Sequence, residues 1–430
     1  ALMLRFFPIL VFKMPLCYDA PFHINAAKEL AEIKSIKGIN AYYPPLYHIL
    51  LVFLNIFTGI EIFNLARIIL PLASVVLALG AFAYFDDIRK KIAGSVAISI
   101  MPPLLWSSFD SPENIALLLL LGSMLLIKKR KQLLGEVMLM LTMVTNYFVF
   151  IIGLACYLAL QRLKAIRFVA ITAAMLLFMN LFGLKLFVGL SIFSGMKLIQ
   201  YNIKKYFWSV VLGATILVMP FLVAHIKERR FNFWSYCCFL SLLGLYSFFI
   251  TPVLRAWEFT KFLGLSSTFV SVNYLHEKIL QKWLILAMLV CFLISVLISA
   301  NFLFPRLHLF EVKGIEKLGK LQGKILAEPS LGEYILLFTN KDEKEVSNKL
   351  FYEKRERIDE NAINCMLELK NCEAYSYWPR NFEDDTLRPV KKQKLMERFS
   401  KIYAAKSNAN CIIKGPNCGE LEFYILKFRD

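Results

Sequence analysis

The chain has 430 residues, of which 58% are hydrophobic and 19% charged, with a mean hydropathy of +0.56. Soluble domains run at about 45–50% apolar and about 25% charged, so a water-soluble globule is excluded. The formal net charge of +18 is uneven: 27 Lys+Arg face 12 Asp+Glu before Pro305, and 23 face 20 from Pro305 onward. The basic excess therefore lies between hydrophobic segments. There, short Lys/Arg-rich loops orient a polytopic membrane protein, and no nucleic-acid partner is needed to explain the charge.

The expected fold is a polytopic α-helical membrane domain over residues 1–304, with about 11 crossings, followed by a soluble extracytoplasmic α+β domain over 305–430. Residues 1–12 are too short to span and read as the outer end of a first helix. A cleaved signal peptide is disfavoured by the lack of a small-residue cleavage site. Later candidate spans are 62–85, 92–109, 115–127, 133–145, 147–160, 168–190, 207–226, 231–250, 259–275 and 283–304. The basic clusters Arg89/Lys90/Lys91, Lys128/Lys129/Arg130/Lys131, Arg162/Lys164/Arg167 and Lys227/Arg229/Arg230 are separated by two spans each time, so all four fit the cytoplasmic side. That parity puts 13–61, 110–114, 191–206, 251–258 and the C-terminal domain outside. Lys197, Lys204 and Lys205 run against the rule. Residues 46–58 are apolar but too few to cross, and counting them would invert every later loop, so they read as a helix lying in the outer interface.

Polar residues concentrate on the outer side in three places. The long first loop, 13–61, begins Cys17-Tyr18-Asp19-Ala20-Pro21-Phe22-His23 and reaches Tyr42-Tyr43-Pro44-Pro45-Leu46-Tyr47-His48. Pro21 suits a first helical turn, so Asp19 is a helix cap or a catalytic carboxylate. The turn Asp110-Ser111-Pro112-Glu113-Asn114 repeats the pattern: capping explains Ser111, Pro112 and Glu113, while two carboxylates there could also hold a divalent cation. Arg255, with Lys261 further along the next apolar run, either snorkels or meets phosphate oxygens. His23, His48 and His225 stand apart without metal-ligand spacing.

In this order, the clusters resemble the GT-C superfamily of polyprenyl-phosphate-sugar-dependent membrane glycosyltransferases, within it the protein mannosyltransferase and aminoarabinose transferase branch. The likeness rests on Asp19 in Tyr-Asp-Ala-Pro-Phe-His, Tyr-Pro-Pro-Leu-Tyr at 43–47, Thr58-Gly59 with Ala66-Arg67, the Asp-Ser-Pro-Glu-Asn turn, and the late Arg255. It implies sugar transfer from a polyprenyl-phosphate donor to a hydroxyl of a protein, lipid or glycan. Asp19 would be the general base. Asp110 or Glu113 would support the acceptor or a divalent metal, and no cofactor is certain. Arg255, helped by Lys261, would meet the donor phosphate, with His23, Tyr43 and His48 positioning the substrates. The Trp-Trp-Asp-Tyr-Gly motif of oligosaccharyltransferases is absent, and Asp-Ser-Pro-Glu stands where a paired Asp-x-Asp would, so a single-sugar transferase is favoured over a block transferase.

After Pro305, strand-like runs at 323–327, 333–338, 409–414 and 422–428 alternate with charged helical stretches such as 391–404. Cys365 and Cys372, and Cys411 and Cys418, are disulfide candidates on an oxidising face, with a four-thiolate zinc site or free thiols as alternatives. The other cysteines read mostly as packing residues in apolar spans. From other functional classes, a transporter or lipid flippase and a noncatalytic membrane subunit compete. The spans carry few ionisable groups and no internal repeat, which weakens the transporter reading.

Overall fold

A computed structural model describes residues 2–12, 19–34, 44–110, 112–161, 200–228, 231–247, 256–300, 309–320, 324–326, 329–339, 346–347, 372–377, 399–409 and 419–428. Contacts divide the chain into two units, one of 1–11 with 26–299 and the other of 12–25 with 300–430. The described part of the first unit is helical. It comprises α1 (Leu2–Phe12), the latter half of α2 (Asp19–Ile33), α3 (Leu46–Thr58), α4 (Ile62–Tyr84), α5 (Ile88–Ile100), α6 (Pro102–Asp110), α7 (Glu113–Lys128), α8 (Gln132–Met143), α9 (Tyr147–Gln161), α10 (Gln200–Lys227), α11 (Phe233–Ser247), α12 (Ala256–Ser271) and α13 (Lys278–Ser299).

These helices are apolar on both sides. Leu77, Ala81, Leu117, Leu120, Leu121 and Leu139 close the core, yet the outward faces are as apolar: Leu72 and Leu79 on α4, Ile92 and Val96 on α5, and Ile285, Leu289, Leu293 and Val296 on α13 are all exposed. A helix apolar all round belongs in lipid, and α4 and α13 are long enough to cross it. The first unit is a membrane domain.

One expected span is two helices. Residues 92–109 read as a single crossing, but the chain breaks at Met101 between α5 and α6. Pro102 and Pro103 cause the break, because they lack the N–H groups that a continuous helix would offer to the carbonyls of Ile98 and Ser99. The buried guanidinium of Arg5 donates to these same two oxygens, Nη1 to Ser99 at 2.7 Å and Nη2 to Ile98 at 3.3 Å. Ser295 Oγ donates to the next carbonyl, Ile100, at 2.6 Å. A planar fork of donors suits two adjacent carbonyls better than any other side chain.

Polar contacts cluster at the ends of the helices. Where α4 stops and α7 finishes, Lys128 Nζ donates to the Tyr84 carbonyl at 2.6 Å and to Asp86 at 2.8 Å, holding the exposed Asp86 carboxyl below its usual range. Asp87 caps α5 by accepting from the Lys90 N–H at 3.0 Å, and Lys90 Nζ reaches Asn273 Oδ1 at 3.4 Å. The described residues of three basic clusters thus lie where helices α4, α5, α7 and α10 have that end, near Trp234 and Phe269, whose rings stack at 4.2 Å. The start of α3 meets the α8–α9 turn instead, through Leu46 N–H to Val144 O at 2.9 Å. At the far end of α3, Gly59 takes φ +69° and closes the helix with an N–H to Asn55 O bond, a conformation in which a side chain is strained.

The second unit contains α14 (Leu309–Gly319), β1 (Lys324–Leu326), α15 (Pro329–Phe338), β2 (Val346–Ser347), β3 (Cys372–Tyr377), β4 (Phe399–Ala409) and β5 (Gly419–Phe428). The strand order is β2-β1-β3-β5-β4; β1 is parallel to β2 and β3, and β5 is antiparallel to β3 and β4. Val312, Ile315 and Leu318 recur along one buried face of α14, which packs on α15 with its buried Tyr334, Ile335 and Leu337. Two expectations fail here. Residues 333–338, read as a strand, are helical: a short apolar run does not reveal its period, and parallel β1 and β2 need a crossover that α15 supplies. Residues 399–404, read as the end of a helix, are strand, because pairing with β5 along the whole of β4 overrides the helix preference of Lys and Ala. Of the expected strand at 409–414, Ala409 ends β4 and the remainder lies outside the described residues.

The first half of α2 also belongs to this second unit. Asn25 Nδ2 donates to both the backbone carbonyl and the carboxylate of Glu333 on α15, each at 3.0 Å.

Candidate functional site

The most developed polar site surrounds the start of α7. Pro112 ends the turn after α6, and Glu113 opens the helix, where the dipole favours a carboxylate. The Glu113 carboxylate forms a direct ion pair with the ammonium of Lys261 on α12, with only 7% and 11% of the two side chains exposed. Each charge is tolerated there because the other cancels it; removing one partner of such a pair costs about 3–5 kcal/mol.

A neutral network stands behind the pair. Asn114 Nδ2 donates to the Leu104 carbonyl at 2.9 Å and lies 3.2 Å from Ser108 Oγ and in contact with Ser74 Oγ, while the two hydroxyls are 2.7 Å apart. The buried Asn114 Oδ1 has no hydrogen-bond partner among the described residues. Ser74 is twelve residues into α4, so this layer lies about 18 Å along the helix axis from Ile62. These side chains are buried among the helices rather than set on the rim.

The remaining predicted residues fall as follows. Asp19 is the first residue of α2 and Asp110 the last of α6, and the side chains of both lie outside the described residues. So do Tyr43, Arg255, Cys365, Cys411 and Cys418, while Cys372 opens β3. His23 is buried, edge-on to Phe22 at 5.6 Å. His48 is buried on α3, and burial pushes its titration down to about 4, so it is neutral at pH 7. Burial likewise raises the neighbouring Tyr47 phenol. Asp19 and His23 belong to the second unit; His48, Asp110, Glu113 and Lys261 belong to the first. Only Glu113 and Lys261, given separate tasks by the sequence pattern, are described in direct contact.

Among the described residues, which leave out the Asp110 side chain, the donor set at Glu113 does not fit a divalent cation. No group of three His, Cys, Asp or Glu is gathered among the described residues. An ammonium already touches the Glu113 carboxylate. At about 4 Å and an effective dielectric of about 20, a +2 ion is drawn to the carboxylate and repelled by the ammonium by about 8 kcal/mol each. The two cancel, leaving the cost of dehydrating the ion unmet.

Arg5 and the Ser74–Ser108–Asn114 layer were not assigned roles from sequence. Their signal was present as polar residues within apolar runs, which must find partners inside the protein.

No family model matches the sequence, and no curated protein sequence matches it significantly. Among solved structures, the chain is similar to the oligosaccharyltransferase of Archaeoglobus fulgidus in its apo form, at 11% identity and a TM-score of 0.55, over 87% of this chain and 68% of that one. It also aligns with an arabinofuranosyltransferase from Mycobacteria at 14% identity and a TM-score of 0.42, over 89% of this chain and 35% of that one. The first likeness establishes a shared fold.

Proposed function

We propose that the protein is a GT-C-type membrane glycosyltransferase that moves a sugar from a polyprenyl-phosphate donor to an acceptor hydroxyl at the extracytoplasmic face. The observation that carries this reading is the buried Glu113–Lys261 pair in a membrane domain with the fold of the archaeal oligosaccharyltransferase. A single positive side chain, held by a carboxylate and screened from water, is suited to a phosphate that gains charge as it leaves.

In this reading the acceptor oxygen attacks the anomeric carbon, forming the new C–O bond as the bond to the phosphate oxygen breaks. Asp19 takes the proton of the acceptor hydroxyl, and polyprenyl phosphate departs with the bonding electrons. Arg255 and Lys261 receive the growing phosphate charge. Glu113 orients Lys261, Asp110 supports the acceptor, and His23, Tyr43 and His48 position the two substrates. The bilayer presents the donor. Disulfides among Cys365, Cys372, Cys411 and Cys418 would brace the C-terminal domain on that face.

The test is sugar transfer by the purified protein in lipid, from a panel of radiolabelled polyprenyl-phosphate sugars. Asp19→Asn and Arg255→Ala are expected to lower turnover by at least about 10²-fold, the scale of a lost base or charge stabiliser, with the fold intact. No release of polyprenyl phosphate from any donor would overturn the reading in favour of a transporter, flippase or noncatalytic subunit. Turnover indifferent to Asp19 would remove that residue as the base.

A further inference from the structure

We propose that Arg67 binds the phosphate of a lipid in the extracytoplasmic leaflet, with the lipid chain lying along the apolar surface beside it. The assignment does not rest on the transferase reading. Arg67 is half-buried in the second turn of α4, about 7.5 Å along the axis from Ile62, at the end of the helix away from the Lys128 contact with Tyr84. By the parity of the basic loops this end faces outward, so Arg67 sits close to the level of lipid headgroups.

The side chain is held in place but not neutralised. Its Nη2 donates to the Ile9 carbonyl on α1 at 2.7 Å, and its guanidinium lies over the Phe63 ring, 5.5 Å from the centroid. Neither contact brings a negative charge, and no carboxylate pairs with Arg67 among the described residues. Its Nε is buried without a partner, and Nη1 makes no hydrogen bond within the described residues. Arg67 thereby differs from Arg5, which is enclosed, and from Lys261, whose charge Glu113 cancels. A whole positive charge beside lipid is costly until an anion meets it, and the planar guanidinium matches a pair of phosphate oxygens.

A lipid reaches this position from the side. Phe7 and Leu10 flank Ile9 on α1, Ile68 and Leu72 follow Arg67 on α4, and all four are exposed. Apolar surface for a lipid chain therefore borders the cation on both helices. Since Ile9 and Phe63 fix the guanidinium, it does not swing out to water as a snorkelling arginine does, and little ordering cost is left for binding.

The test is the rate at which phenylglyoxal modifies Arg67, mapped by mass spectrometry on the delipidated full chain in maltoside micelles. Undecaprenyl phosphate, undecaprenol, phosphatidylglycerol and inorganic phosphate are the added probes. Undecaprenyl phosphate is expected to slow modification at least about tenfold relative to undecaprenol, the same chain without the phosphate. Slowing by phosphatidylglycerol as well assigns the site to lipid phosphates in general, and slowing by undecaprenyl phosphate alone assigns it to polyprenyl phosphates; either supports the proposal. Equal rates with undecaprenyl phosphate and undecaprenol, no modification of Arg67 under any condition, or slowing by inorganic phosphate as strong as by the lipid would overturn it. In native mass spectrometry, Arg67→Gln should lose about tenfold in its preference for undecaprenyl phosphate over undecaprenol, while Arg67→Lys keeps more of it. A folded Arg67→Gln with the wild-type preference would also refute the assignment, because an arginine that merely ties α4 to α1 has no bearing on which lipid is retained. The wild-type modification rates decide the matter where a variant does not fold.

Discussion

Arg5 offers a sharp test of how this membrane domain is held together. Its guanidinium spans the break between α5 and α6, donating to the Ser99 carbonyl, which Pro103 leaves without a helical partner, and to the Ile98 carbonyl, which otherwise has only a 3.4 Å bond from the Met101 N–H. Replacing Arg5 with Leu strands the Ser99 carbonyl, worth about 1–3 kcal/mol, while the Ile98 carbonyl keeps a 3.4 Å bond from the Met101 N–H. Relief from burying the guanidinium returns part of that cost, so the expected net loss is about 1–2 kcal/mol. Lys in the same place carries a single point of donation and should recover roughly half. The assay is reversible unfolding in bicelles, performed as a cycle with Pro102→Ala/Pro103→Ala. Restored backbone N–H groups can satisfy the same carbonyls, so Arg5→Leu should cost much less in that background, a coupling of at least about 1 kcal/mol. Equal costs in the two backgrounds, or a wild-type-like Arg5→Leu, would refute the argument that Arg5 caps the broken helix.

Four further outcomes are expected. Glu113→Gln and Lys261→Met should each destabilise the protein by about 3–5 kcal/mol, with the double variant losing less than either single one, as measured by the same unfolding assay. His48 should make stability depend on pH: its folded value is lowered to about 4 against an ordinary value of 6.5, so the unfolded chain takes up a proton first as pH falls. This contribution is intact above about pH 6.5 and is lost as pH drops through about 4, about 3 kcal/mol in total, so His48→Gln should have a shallower pH profile across that window. Gly244→Ala would drive a methyl group into the Phe259 ring, at the close approach of α11 and α12, and should cost about 1–3 kcal/mol in thermal unfolding. Transfer assays with Asp19→Asn and Arg255→Ala, run on protein whose fold is verified by far-UV circular dichroism, should show at least about a 10²-fold loss of turnover.

The membrane character of the first unit and most described helix positions were legible in the sequence, because a bilayer imposes a local requirement. Each crossing must be apolar and hydrogen-bonded within itself, so composition and length locate it. Hence α4 lies within a residue of its expected limits, and α9 does too. The exception, α5 and α6, shows where local reasoning stops: Pro102 and Pro103 mark a break, but only the arrival of Arg5 from a distant part of the chain reveals how it is tolerated. In the second unit, the expected strand at 333–338 became a helix and the expected helix through 404 became a strand, since short mixed segments take their state from neighbours distant in sequence.

The candidate site divides in the same way. Residue type and order singled out Glu113 and Lys261, because carboxylates and amines are scarce in apolar sequence. Their contact across 148 positions was not readable from spacing, and neither was the Ser74–Ser108–Asn114 layer beneath it. Burial decided both: once helices exclude water, a charge or hydroxyl must find a partner inside the protein, and packing alone determines which residue that partner is.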